Sequence, residues 1–139
     1  MNMSVPLTPA RPGLLIVDDE PTVRAILAAG LSALGFDARA VADGSVAVAL
    51  VTEQADASNL ALIDLYLPAM DGLATAAALR RLRPQLSCCL MSGGFPPDDE
   101  ALRAAGVARY FPKPLRLDAL AEGLLELARE AGRAARHNG

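Results

Sequence analysis

The run Ala61-Leu62-Ile63-Asp64-Leu65-Tyr66-Leu67-Pro68-Ala69-Met70-Asp71-Gly72 decides the reading of this chain. Its opening residues are continuously apolar, the pattern of a short strand buried on both faces, and the strand ends on an acid, Asp64. Upstream, a second apolar strand, Leu14-Leu15-Ile16-Val17, ends in Asp18-Asp19-Glu20. Downstream, Lys113 follows a third short strand and precedes Pro114. If the three strands are parallel neighbours, three carboxylates and one ammonium converge at one edge of one sheet. Such a cluster suits a magnesium ion and a phosphoryl group, because Mg²⁺ takes oxygen ligands and shares them with phosphate.

Between residues 13 and 131 strand-like and helix-like segments alternate, with no repeat, long linker or low-complexity block. That alternation argues for an α/β domain on a parallel sheet. Strands are expected at 14–17, 37–41, 60–63, 87–91 and 109–111. Pro21 suits the first turn of a helix carrying Val23, Ile26, Leu27, Leu31 and Leu34, with Gly35 as its stop. Further helices are expected with Val46, Leu50 and Val51 on one, at 73–83, at 98–105, and from Leu117 with Leu120, Leu124 and Leu127 on one face. The result is five βα units. In open sheets of this kind reactive groups gather in the crevice beyond the carboxyl ends of the strands. Asp18, Asp19, Asp64, Ser92 and Lys113 each fall at or just past such an end.

The 139 residues suit one domain, and an apolar fraction of 53% suffices for a full core. A net charge of −3 leaves no electrostatic footprint for nucleic acid or an anionic membrane. No apolar run approaches the ~18 residues of a membrane span. Residues 1–12 carry prolines but no apolar stretch, so they read as a disordered leader rather than a signal peptide. Residues 132–139 read as a short tail, and the protein is expected in the cytoplasm. The adjacent Cys88 and Cys89 should point to opposite faces of a strand, which makes them small buried hydrophobes rather than disulfide partners or zinc ligands. The single histidine, His137, lies near the end of the chain, which excludes catalysis by a histidine in the core.

Four motifs in this order resemble the response-regulator receiver domain, the CheY-like phosphoacceptor module of two-component signalling. They are Val17-Asp18-Asp19-Glu20, Asp64 with Leu67-Pro68-Ala69-Met70-Asp71-Gly72, Met91-Ser92-Gly93, and Gly106 with Tyr110-Phe111-Pro112-Lys113-Pro114. The resemblance covers about residues 13–131, and its Ser92-Gly93-Gly94 run resembles receivers attached to hybrid histidine kinases more than those fused to DNA-binding domains. It implies a flavodoxin-like (βα)5 three-layer sandwich with strand order 2-1-3-4-5. It also implies Asp64 as phosphoacceptor, and Asp18, Asp19, Asp64 and the Tyr66 carbonyl around Mg²⁺, with Mn²⁺ as a substitute ion. Lys113, Ser92 and the Gly93 N–H would contact the phosphoryl group, while Ser92 and Tyr110 form the switch. A cis Lys113-Pro114 bond belongs to the same pattern. The implied partners are a histidine kinase or histidine phosphotransfer protein and a downstream protein, with a monomer or weak dimer as the assembly. Activity is then limited to self-catalysed phosphoryl acceptance and autodephosphorylation. With no room for an output domain after residue 132, signalling is expected to run through partners.

Plainer readings stand beside these. Asp18 and Asp19 are also good caps for the first helix. Lys113 and Tyr110, taken singly, read as surface and half-buried strand residues, and Asp71 as turn chemistry with Gly72. The smooth outer face Ala25, Ala28, Ala29 and Ser32 is either an exposed face of high helix propensity or a docking face for a kinase. Pro96-Pro97 should truncate the fourth helix. An aspartate-nucleophile phosphatase of the haloacid dehalogenase type is disfavoured, because it separates its two acids by one residue, and Asp18 and Asp19 are adjacent. A receiver-shaped module that is never phosphorylated is disfavoured by the complete set of site residues. A dinucleotide-binding domain lacks its Gly-x-Gly-x-x-Gly signature here.

Overall fold

Leu14, Leu15, Ile16 and Val17 are all fully buried, so the strand they form is covered on both faces and lies inside the sheet. The computed structural model describes residues 11–138, and most of the leader read at 1–12 lies outside the described residues. Strands β1 Gly13–Val17, β2 Asp37–Val41, β3 Leu60–Asp64, β4 Ser87–Ser92 and β5 Val107–Pro112 alternate with helices. These are α1 Pro21–Ala33, α2 Gly44–Thr52, α3 Gly72–Leu82, α4 Asp99–Ala104 and α5 Leu117–Asn138. All four strand pairings are parallel, in the order β2-β1-β3-β4-β5. The fold is the expected flavodoxin-like α/β sandwich.

Because side chains alternate along a strand, each strand feeds two cores. Leu14, Ile16, Leu60, Leu62 and Met91 meet Leu27 and Leu31 of α1 and Leu120 and Leu124 of α5. Leu15, Val17, Ala61, Ile63 and Leu90 meet Ala47 and Val51 of α2 and Ala76 and Leu79 of α3. Cys89 belongs to the first core and Cys88 to the second. Burial pushes both thiols up to about 12, so neither is a reactive thiolate at neutral pH.

The start of α1 settles one of the plainer readings. Glu20 is its cap: its carboxylate accepts from Thr22 N–H at 3.2 Å and Val23 N–H at 2.9 Å, with Pro21 in the first turn. Those bonds hold the Glu20 carboxyl below its usual range. Asp18 and Asp19 are not needed as caps, and their carboxylates stay at the end of β1. Asp71 caps α3 by accepting from Ala74 N–H at 2.8 Å.

Helical periodicity misplaced several apolar residues. Ile26 is 56% exposed, and Leu34 and Val46 also face outward. Leu27 and Leu31 of the expected set, together with Ala47, fill the core positions, because each residue along a helix turns about 100° and carries Ile26 off the face that holds Leu27. The fourth helix is cut to six residues, none of them buried, as Pro96-Pro97 implied. The last helix does not stop at residue 131. It runs to Asn138, through the segment read as a short tail, since Gly132 costs a helix only about 1 kcal/mol and alanines surround it.

One glycine governs how closely α3 approaches the acidic edge. A Cβ at Gly72 would lie 2.5 Å from the Asp64 carbonyl oxygen and 2.7 Å from Leu65 Cα, both rigid backbone. Gly72→Ala is therefore expected to cost about 2 kcal/mol in chemical denaturation. Full retention of stability would show that the β3–α3 contact is loose.

Candidate functional site

The three carboxyl ends that matter belong to β1, β3 and β5, and hydrogen bonds of the sheet aim them. Asp18 N–H continues the ladder onto the Val41 carbonyl at 3.1 Å, and Lys113 N–H donates to the Ser92 carbonyl at 2.8 Å. Asp18 is fully buried at the end of β1, and Asp64 is 7% exposed at the end of β3. Asp19 follows on the surface. Asp18, Asp19 and Asp64 each bring a carboxylate oxygen within 4.8 Å of the others.

Lys113 answers this charge. Its Nζ lies 3.8 Å from Asp64 Oδ1 and 3.9 Å from Asp18 Oδ2. Asp18 Oδ1 accepts from Glu20 N–H at 2.9 Å, but Asp18 Oδ2 is buried and finds no hydrogen-bond partner among the described residues. Asp64 Oδ1 receives a long bond, 3.4 Å, from Tyr66 N–H. Burial pushes the Asp18 carboxyl above its ordinary range; the Glu20 N–H and then Lys113 pull it back. Burial also raises Asp64, which Lys113 lowers and the Asp18 charge raises further. One ammonium thus faces three acids, two of them buried, so negative charge is in excess. An orphaned carboxylate oxygen beside two others, all hard oxygen donors, fits a divalent cation such as Mg²⁺.

The remaining predicted residues fall around this cluster. Ser92 is buried at the end of β4, and its Oγ lies 2.6 Å from the Tyr110 hydroxyl. Tyr110 is half-buried against the α2–α3 core. Gly93 is exposed, and a Cβ added to it would lie 3.8 Å from Lys113 Cβ, an ordinary contact, so the Lys113 stem passes beside it. The Lys113-Pro114 bond is cis. Tyr66 is 60% exposed, with its hydroxyl donating to the Phe95 carbonyl at 3.4 Å across the site mouth.

On α1, Ala25 and Ala29 are exposed, whereas Ala28 packs against the core and Ser32 is half-buried. The outward face thus includes Ile26 in place of Ala28. Ile26, Val23 and Leu27 line an open apolar cavity of about 210 Å³ with Lys113, Pro114, Leu115 and Leu117. Sequence reasoning missed this groove, as it missed Arg24, whose guanidinium donates to the Asp18 carbonyl at 2.8 Å. Neither has a local signal, since each pairs α1 with a segment remote in sequence or around a turn. A larger cavity of about 930 Å³ lies at the other end of the strands, by Gly13, Asp37 and Leu60, away from the acidic cluster.

Comparison with known proteins agrees with this geometry. Residues 14–124 match the family model described as response regulator receiver domain. The transcriptional regulatory protein PrrA of Mycobacterium tuberculosis is 32% identical over 122 residues, covering 87% of this chain and 52% of PrrA. TcrA from the same species is 35% identical over 84% of this chain and 46% of its own length. The chain spans about half the length of the curated relatives it matches. A CheY-like receiver domain protein from Methanospirillum hungatei superposes with a TM-score of 0.83 at 25% identity, over 89% of this chain and 98% of that one. The chain belongs to the response regulator receiver domain family. Receivers of this family are two-component phosphoacceptors that bind Mg²⁺ at an acidic pocket and interact with histidine kinases and downstream partners. No helix among the described residues is long and apolar enough to cross a membrane.

The excess of buried negative charge has a measurable sign. An acid whose folded pKa is raised favours folding while protonated, and that contribution disappears as the pH rises from the unfolded to the folded value. At neutral pH Asp64 therefore opposes folding in the metal-free protein. Asp64→Asn should raise the unfolding midpoint in chelator by about 3 °C at pH 7. The gain should shrink as the pH falls into the acid range and the buried wild-type carboxyl takes up its proton. A lowered midpoint at pH 7 would mean that Lys113 compensates Asp64 fully.

Proposed function

We propose that Asp64 accepts a phosphoryl group from a partner's phosphohistidine in an Mg²⁺-dependent reaction, and that the acyl phosphate reshapes a partner-binding face. The observation that carries this reading is Lys113 Nζ, 3.8 Å from Asp64 and 3.9 Å from Asp18 within the three-carboxylate cluster. An Asp64 carboxylate oxygen attacks phosphorus as the P–N bond breaks. The bonding pair leaves with the imidazole, whose other ring nitrogen already carries a proton, so the donor ends as the neutral ring. Transfer of this kind rests on positioning and charge neutralisation. Asp18, Asp19 and Asp64, with the Tyr66 carbonyl, would hold Mg²⁺ or Mn²⁺. The cation supplies charge neutralisation for the phosphoryl oxygens. Lys113 supplies a second counter-charge, and Ser92 Oγ–H and Gly93 N–H donate to phosphoryl oxygens. Tyr110 turns the occupied site into a change of surface. Hydrolysis of the acyl phosphate by water returns Asp64 and inorganic phosphate, so turnover is limited to self-catalysed acceptance and loss.

The docking face is the exposed part of α1, namely Ala25, Ala29 and Ile26, continued by the apolar groove that Lys113 helps to line. That continuity favours a helical phosphohistidine protein, whose donor would arrive beside the acceptor. Ala28 and Ser32 support this face from beneath.

Intact mass tests the reading after incubation with Mg²⁺ and either phosphoramidate or a phosphohistidine protein. One phosphoryl adduct is expected on the wild type with both donors, none on Asp64→Asn, and none in chelator. Ala29→Glu should slow the protein donor about tenfold and leave phosphoramidate unchanged, a selective loss of docking equal to ~1.4 kcal/mol. An adduct that survives Asp64→Asn would overturn the acceptor assignment. Equal slowing of both donors would overturn the docking face.

A further inference from the structure

Of the three acids in the cluster, Asp19 is the least held. Asp18 and Asp64 are buried, whereas Asp19 is exposed in the bend between β1 and α1. Among the described residues no hydrogen bond or ion pair engages its carboxylate, and Lys113 pairs with the other two acids. Recruiting an unrestrained side chain to a cation costs conformational entropy, both of the side chain and of the backbone that carries it. The backbone of Asp19 is restrained.

Two hydrogen bonds bracket it. A peptide unit is planar, so holding its carbonyl or its N–H holds the whole unit. The Asp18 carbonyl, in the unit before Asp19 Cα, accepts from the Arg24 guanidinium at 2.8 Å. The Glu20 N–H, in the unit after it, donates to Asp18 Oδ1 at 2.9 Å. With both units held, φ and ψ of Asp19 are set. Arg24 reaches the carbonyl because α1 begins at Pro21, so Arg24 lies in its first turn, where its own N–H donates to the Glu20 carbonyl at 2.9 Å. Side chains on a helix lean over the preceding turn, and here that turn carries the acids.

We propose that Arg24 is a positioning residue of the cation site: by holding the Asp18–Asp19 peptide unit it keeps the Asp19 carboxylate directed at the ion shared by Asp18, Asp19 and Asp64. This rests on the acidic cluster being an Mg²⁺ site. Arg24 acts through the backbone and not on the ion. Its charge works in the opposite direction, because a guanidinium beside the site repels a divalent cation. Removing Arg24 therefore separates the two effects by sign. Loss of charge alone tightens Mg²⁺ binding, and loss of the hold on Asp19 weakens it.

The test is a calorimetric titration of the chelator-treated full chain with Mg²⁺, for the wild type, Arg24→Met, Arg24→Gln and Arg24→Lys. Arg24→Met keeps an unbranched stem and removes the donor and the charge. It should weaken Mg²⁺ about fivefold, the scale of one hydrogen bond. Arg24→Gln, a second variant without the charge, should weaken it in the same direction. Arg24→Lys keeps a donor for the carbonyl and should restore most of the affinity. At saturating Mg²⁺ the limiting rate of acceptance from phosphoramidate should match the wild type, since no group that touches phosphorus has changed. Unchanged or tighter Mg²⁺ binding without the charge, or no recovery in Arg24→Lys, would overturn the proposal and leave the cation site standing. A wild type that binds no Mg²⁺ would overturn both.

Discussion

The burial of two carboxylates at adjacent strand ends is the constraint on which the rest of this molecule depends. Asp18 and Asp64 sit where a folding chain would ordinarily place apolar side chains, and burying a charge without a full partner is unfavourable. Lys113 offsets part of that cost, at distances of 3.8 and 3.9 Å that are ion pairing without a close hydrogen bond. The balance is an unsatisfied oxygen on Asp18 and a surplus of negative charge. A fold optimised for stability alone would not keep this arrangement. A fold that holds a cation and a phosphoryl group needs it.

The scaffold makes the cost bearable by being rigid immediately beneath. β3 is buried along its entire length, and β1 over its last four residues. Gly72 lets α3 close against the end of β3, and Glu20 takes over the cap of α1 so that Asp18 and Asp19 need not. Arg24 reaches back to the Asp18 carbonyl and fixes the turn between β1 and α1. Each contact limits how far the carboxylates can move apart to relieve their repulsion. Geometry at the sheet edge is therefore set by backbone contacts, and the acids occupy positions they would not choose in isolation.

Much of this was legible in the sequence because the strand-end rule needs only two facts, where an apolar strand stops and which residue comes next. Asp18, Asp64, Ser92 and Lys113 satisfy it locally, and their convergence follows once the strands are parallel neighbours. The outer face of α1 was only half legible. Ile26 and Leu27 are adjacent and equally apolar, and periodicity alone could not say which one the sheet would take. The groove beside Ile26 depends on where the Lys113–Leu117 segment crosses α1, information spread over about ninety positions. The Ser92–Tyr110 bond was hidden for a different reason. It depends on Ala108 being skipped in the β4–β5 register, and nothing in the sequence around Ala108 announces a bulge. α5 runs on to Asn138 through the segment read as a short tail, because Gly132 costs a helix little and alanines flank it.

The most direct measurement is the thermal midpoint of the metal-free protein as Mg²⁺ is added, for the wild type and for Asp18→Asn. If the buried carboxylates form a cation site, the wild-type midpoint rises with Mg²⁺ and saturates, as binding to the folded state requires. Asp18→Asn should start higher in chelator and respond weakly or not at all. A wild-type midpoint indifferent to millimolar Mg²⁺ would contradict the account, since the acidic cluster would then be stable without the ion it is said to hold.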